Sequence, residues 1–281
     1  MLLYRAPNGS WTSGPALGYG PSRWVGTNAT LPPLYGNECS FLLSLFQCTA
    51  SLFPQAEIIG TDLSPVQPTE VPPNVHFFID DAAEDDWLWE PNYFDYIHVA
   101  HLIGALSSFK EMLRQTMKHV RPGGYVECHE FDPRPQCDDG TMPPENPESF
   151  SDFAFHDWCD LNIRAAQMSD PPRPFRVAHR MARWMREVGF VDVQQRVSKV
   201  PLNPWPDDPH QKRIGAWNET NCLEALSGYS YKPFLLLGWS KPEIEVFLVD
   251  VRKSIQNRNV HAYLNYYVVT GRKPRPGEQV S

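Results

Sequence analysis

The chain has 281 residues and 42% hydrophobic side chains, enough to build a sizeable core and too many for a disordered polymer. Its net charge of −8 argues against a non-specific nucleic-acid binder. The six cysteines include no C-x-x-C pair, so neither a zinc site nor a disulfide framework is indicated, and no cluster with metal-ligand spacing is evident. Met1–Tyr4 is too short an apolar run for a signal peptide, and the longest other run, 41–53, is interrupted by Ser, Gln and Thr and shorter than a membrane span. The expectation is a soluble intracellular protein, cytoplasmic or nuclear, with no membrane partner.

Residues 1–37 are rich in Gly, Pro, Ser and Asn without a period, and are expected to be irregular or disordered. A helix is expected over 40–53, ended by Pro54. Then Glu57-Ile58-Ile59-Gly60-Thr61-Asp62 reads as a strand buried on both faces, leaving Asp62 just past its end. A carboxylate there can take the two hydroxyls of a ribose, or cap the next turn. After a Pro-rich crossover comes a second strand, 75–79, running into the acidic stretch Asp80–Asp86 before Trp87 and Trp89. Phe94–Val99 is a third strand. An amphipathic helix follows over 107–120, with Phe109, Met112, Leu113 and Met117 inward.

Arg121-Pro122-Gly123-Gly124 is a tight turn that requires glycine dihedrals and feeds a fourth strand, 125–130. Strands alternating with connectors give a parallel sheet whose ligand loops share one edge. Asp62, Asp81, His98 and His129 all reach that edge. A surface loop is expected over 132–148, helices over 150–168 and 175–188, and a strand over 191–200. A Trp- and Pro-containing segment, 201–240, holds a helix near 212–226. Its Trp205, Trp217 and Trp239 suit packing of an annex, or an aromatic acceptor pocket. A helix over 241–257 and an aromatic strand over 261–270 close the chain. The domain reading is therefore 1–37 apart, then one domain over 38–281 with insertions at 132–190 and 201–240.

Taken together, Leu52-Phe53-Pro54, Ile59–Pro65, Pro72–Val75, the Asp80-Asp81-Ala82 run to Trp87, and Arg121–Glu127 resemble the class I S-adenosylmethionine-dependent methyltransferases. Within them the fungal LaeA-like group, linked to secondary metabolism, is the most similar. The resemblance implies an α/β, Rossmann-like sheet, mostly parallel with a C-terminal antiparallel strand and flanked by helices. It implies S-adenosylmethionine as cofactor, with Asp62 at its ribose, Asp81 and Ala82 at its adenine, and His98 and Val99 on its methionine side. Glu127, Cys128 and His129 lie on or beyond the strand facing the acceptor. His98 and His129 are the candidate proton-handling residues, since imidazoles titrate near neutral pH. The family's first strand and its G-x-G-x-G loop have no counterpart: the loop should fall near Cys39–Leu43, where there is no glycine.

Two readings stay open. One is a methyltransferase acting on a small-molecule, secondary-metabolite or protein acceptor. The other is a catalytically inactive interaction or regulatory protein of the same fold with a protein partner. A nicotinamide-dependent enzyme would need the same absent glycine loop.

Overall fold

The computed structural model describes residues 1–5, 50, 52–64, 71–145 and 149–278. The segment 39–43 and nearly all of the helix expected over 40–53 lie outside these residues. Seven strands form one sheet: β1 (Leu2–Arg5), β2 (Glu57–Asp62), β3 (Val75–Ile79), β4 (Phe94–Ala100), β5 (Val120–Gln136), β6 (Val191–Pro201) and β7 (Tyr263–Arg272), in the order β3-β2-β1-β4-β5-β7-β6. β2 pairs with β3 and β4 with β5 in parallel, whereas β7 runs antiparallel to both β5 and β6.

The central slot corrects the expectation of a missing first strand. β1 fills it, antiparallel to both neighbours, with Leu3 opposite Ile59 on one side and Ile97 on the other. Residues 2–5 are thus a strand rather than irregular chain; residues 6–37 lie outside the described residues. Without β1 the facing edges of β2 and β4 would carry unpaired N–H and C=O groups inside the sheet. Arg5 adds a side-chain tie, its guanidinium 4.2 Å from the Tyr93 ring, while the Tyr93 hydroxyl donates to Glu57 at 3.0 Å.

The 132–148 region also differs from expectation, because β5 continues through Gln136. Pro133 and Pro135 fall where the β5/β7 register shifts between Asp132 and Gln136, so neither has to donate to a regular ladder. The turn before β5 needs its glycines. Gly123 has φ +82°, and a Cβ on Gly124 would lie 2.7 Å from the Asp95 carbonyl oxygen.

α1 (Phe109–His119) and α3 (Met181–Val188) cover the sheet around Phe94, Ile97, Leu113, Val126 and Met185. Gly189 ends α3 with φ +107°. A second core joins α2 (Ala154–Met168), α4 (Pro209–Leu236) and α5 (Lys241–Gln256) through Phe155, Leu226, Phe234 and Leu248. Trp239 packs there against Phe234 and Phe247, and Trp205 stacks on His261 at 4.5 Å. These two tryptophans pack the annex. Among the described residues no helix is long and apolar enough to cross a membrane.

Candidate functional site

Two groups of polar side chains stand at the C-terminal edge of the sheet. The first lies past β2 and β3. Asp62 is half-buried and its Oδ1 accepts the Ser64 N–H at 2.8 Å, while its carbonyl accepts the Asp80 N–H at 3.1 Å. Asp81 Oδ1 accepts the Ala83 N–H at 2.8 Å, holding the Asp81–Ala82 turn. Asp80 Oδ2 is buried without a hydrogen-bond partner among the described residues. Burial, then the nearby Glu84, pushes the Asp80 carboxyl above its ordinary range. An orphaned buried acceptor beside Asp62 is what a ligand bearing hydroxyl or amino donors would satisfy.

The second group is set by strand register. His98 of β4 lies opposite Glu127 of β5, and Ala100 opposite His129. Side chains alternate along a strand, so His98, Glu127 and His129 share one face while Val99 and Cys128 point into the core. Glu127 Oε1 is 2.7 Å from His129 Nε2 and 3.7 Å from His98 Nδ1. The two imidazoles meet edge to face at 4.6 Å, and the Tyr266 hydroxyl lies 3.0 Å from His129 Nδ1. Burial alone would raise the Glu127 carboxyl, but bonds from His129 and His98 outweigh it and hold it at about 2. Burial lowers His98 below its ordinary value despite Glu127 beside it, so it is neutral near pH 7. The Tyr96 hydroxyl bonds to Glu127; burial first, then that carboxylate, raises the phenol. The result is a fixed negative charge between two histidines.

The loop after β4 borders this group. Its Leu102 N–H donates to Glu130, and His101, with φ +57°, stacks near the rings of Phe131 and Tyr266 at 5.8 and 6.0 Å. Asp132 accepts two bonds from Arg176, at 3.1 and 2.9 Å, tying the end of β5 to the segment before α3.

The structure therefore brings His98 and His129 together and gathers Asp62, Asp81 and Ala82 separately across β1. It buries the Val99 side chain on the opposite face, leaving only its backbone at the edge. The sequence signal for Glu127 was its two-residue spacing from His129. Nothing local marked Tyr266, which reaches His129 only through the β5/β7 pairing.

Residues 36–195 match a family described as a methyltransferase domain. The secondary metabolism regulator LAE1 of Cochliobolus heterostrophus is 33% identical over 229 residues, 80% of this chain and 72% of that one. The methyltransferase pytC of Aspergillus terreus is 32% identical over 218 residues, 77% and 64% of the two chains. The secondary metabolism regulator laeA of Monascus pilosus is 31% identical over 229 residues, covering 80% of this chain and 59% of its own. The chain thus spans less than two thirds of the length of the latter two. Among solved structures, phosphoethanolamine N-methyltransferase 2 of Haemonchus contortus in complex with S-adenosyl-L-methionine aligns with a TM-score of 0.45 at 16% identity, over 81% of this chain and 45% of that one.

Proposed function

This chain belongs to the LaeA-like class I methyltransferases, and from that premise we propose that it transfers a methyl group from S-adenosylmethionine to an acceptor held over β4 and β5. The observation that carries the reading is the pairing of two groups on one sheet edge: carboxylates past β2 and β3, and the His98–Glu127–His129 cluster on β4 and β5. Asp62 would take the ribose hydroxyls, and the Asp80–Ala82 turn, with its orphaned Asp80 Oδ2, would meet the adenine side. When bound, the cofactor supplies an already activated sulfonium methyl, so the chain's task is to position and to handle a proton.

His129 and His98 are the residues that would receive the acceptor's proton, with ionised Glu127 stabilising the imidazolium that results. His101, Phe131 and Tyr266 form an aromatic wall beside them. Acceptor classes that suit this wall are small aromatic secondary metabolites or a protein side chain; a regulatory partner protein fits the second of these.

Titration of the folded chain with S-adenosylmethionine tests the donor side. Wild type binds, and Asp62→Ala weakens binding by about 10-fold or more, since each bond to a carboxylate contributes roughly 1.5–3 kcal/mol. Unchanged affinity in Asp62→Ala removes Asp62 from the site. A glycine-free segment at Cys39–Leu43 favours the non-catalytic reading, and wild type that is folded yet takes up no cofactor would establish it.

A further inference from the structure

His98, Glu127 and His129 each offer one ligand atom, and the three atoms all lie within 4.8 Å of one another. Two imidazole nitrogens and one carboxylate are the donor set of open catalytic zinc sites and of non-haem iron sites. Donors around one such ion sit roughly 3–4 Å apart, given bonds of about 2.0–2.2 Å. The 3.7 Å separation of His98 from Glu127 falls within that spacing, and the 2.7 Å separation of His129 lies just below it.

Further features set the cluster apart from a chance grouping. The three residues stand on adjacent strands of the same sheet with fixed register, so their backbones need not move to converge. Each of two ligands has an outer partner: the Tyr266 hydroxyl lies 3.0 Å from His129 Nδ1, and the Tyr96 hydroxyl bonds to Glu127. Such partners fix the orientation of a ligating histidine or carboxylate. The side chains of His98 and His129 keep 12% and 18% exposure, which gives a path from solvent. A nitrogen and an ionised carboxylate oxygen 2.7 Å apart also require something positive between them, either a proton or a cation. The other histidine–carboxylate triple, Glu145, His156 and Asp160, is different: Arg134 already bonds to Asp160 at 3.0 Å, and Glu145 is 61% exposed.

We propose that His98 Nδ1, Glu127 Oε1 and His129 Nε2 bind one first-row transition-metal dication of the zinc or iron(II) class, leaving coordination positions open on the acceptor side. The cation displaces the proton shared by Glu127 and His129. Binding stands independently of methyl transfer. Its consequence rests on methyl transfer but replaces the histidines as proton acceptors, since their nitrogens facing Glu127 are then ligands. A dication there favours acceptors with an ionisable oxygen, such as a phenol or enol, whose proton it makes easier to lose to water.

The test uses the full chain, free of any histidine tag, stripped with EDTA and titrated with Co²⁺. One equivalent is expected, with visible d–d absorption and an X-ray absorption spectrum showing two imidazoles and oxygen, without sulfur. Tyr266→Phe keeps all three ligands and weakens binding roughly 10–100-fold. His98→Ala and His129→Ala each remove a ligand and weaken it further, whereas His156→Ala leaves it unchanged. Less than one equivalent, sulfur ligation, or full affinity in His129→Ala overturns the site. Should the histidine variants fail to fold, the wild-type absorption spectrum decides. Titrating the same preparation with S-adenosylmethionine separates the two readings, because Co²⁺ uptake without cofactor uptake keeps the metal site and removes methyl transfer.

Discussion

Glu130 shows how much one buried carboxyl can govern. It faces away from the histidine cluster, is 1% exposed, and holds the loop after β4 by accepting the Leu102 N–H. Burial lifts its carboxyl to about 8, although backbone N–H groups of Leu102 and Ile103 pull the other way. Below pH about 4.5 both folded and unfolded chains keep this proton. Between that value and about 8 the unfolded chain releases it and the folded chain does not, so stability falls as pH rises through the window. Glu130→Gln cannot ionise and still accepts from Leu102. Its melting temperature should rise relative to wild type between pH 5 and pH 8, read by thermal unfolding at fixed ionic strength. A constant difference across that window would mean that Glu130 is ionised in the folded protein. Glu127 acts in the opposite sense: its contribution is present above the ordinary carboxylate range and is lost as pH falls toward about 2.

At the level of elements, helix ends follow local chemistry. Asp208 caps α4 by accepting the His210 and Gln211 N–H groups at 3.1 and 2.8 Å, and Ser240 with Glu243 forms a capping box at α5. Asp208→Ala should destabilise by about 1 kcal/mol in denaturant unfolding, with Asp208→Asn close to wild type; equal losses in both would point to charge rather than capping. The apolar runs of β2 and β4 and the glycine stop of α3 were readable from the sequence; the caps at Asp208 and Ser240 were not read, the helix after Asp208 being expected only near 212–226. The extent of α4 was not readable, because Pro233 reads as a breaker; it lies inside the helix near its C-terminal end, where it removes one intrahelical donor without ending the helix. Nor was the extension of β5, since a tolerated proline depends on a register shift against a strand over a hundred residues away. The site was legible in the same uneven way. His98 and His129 were marked by position at strand ends. The convergence of His98 on Glu127 and of Tyr266 on His129 is a matter of pairing between strands, which no local pattern encodes.

At the scale of the whole molecule, the sheet is a mixed one whose donor-side strands, β2 and β3, meet β4 through β1 alone among the described residues. β1 spans four residues, and Leu3 pairs with partners 56 and 94 positions along the chain, Ile59 and Ile97. Closing such distant contacts carries a loop-entropy cost that few hydrogen bonds offset. The small cluster of Ala50, Ala56, Ile58 and Val75 under β2 is also distinct from the two larger cores. The middle of the sheet is therefore a seam rather than its most resistant part. In native-state hydrogen exchange, amides of β2 should open at lower free energy than those of β5, which is paired on both sides by long ladders. Equal opening energies would make the molecule a single cooperative unit. With a seam, a ligand that touches Asp62 on one side and the β4–β5 edge on the other works as a staple. Its binding would slow exchange in β2 far more than in β7, and the protein's rigidity would become a reporter of occupancy.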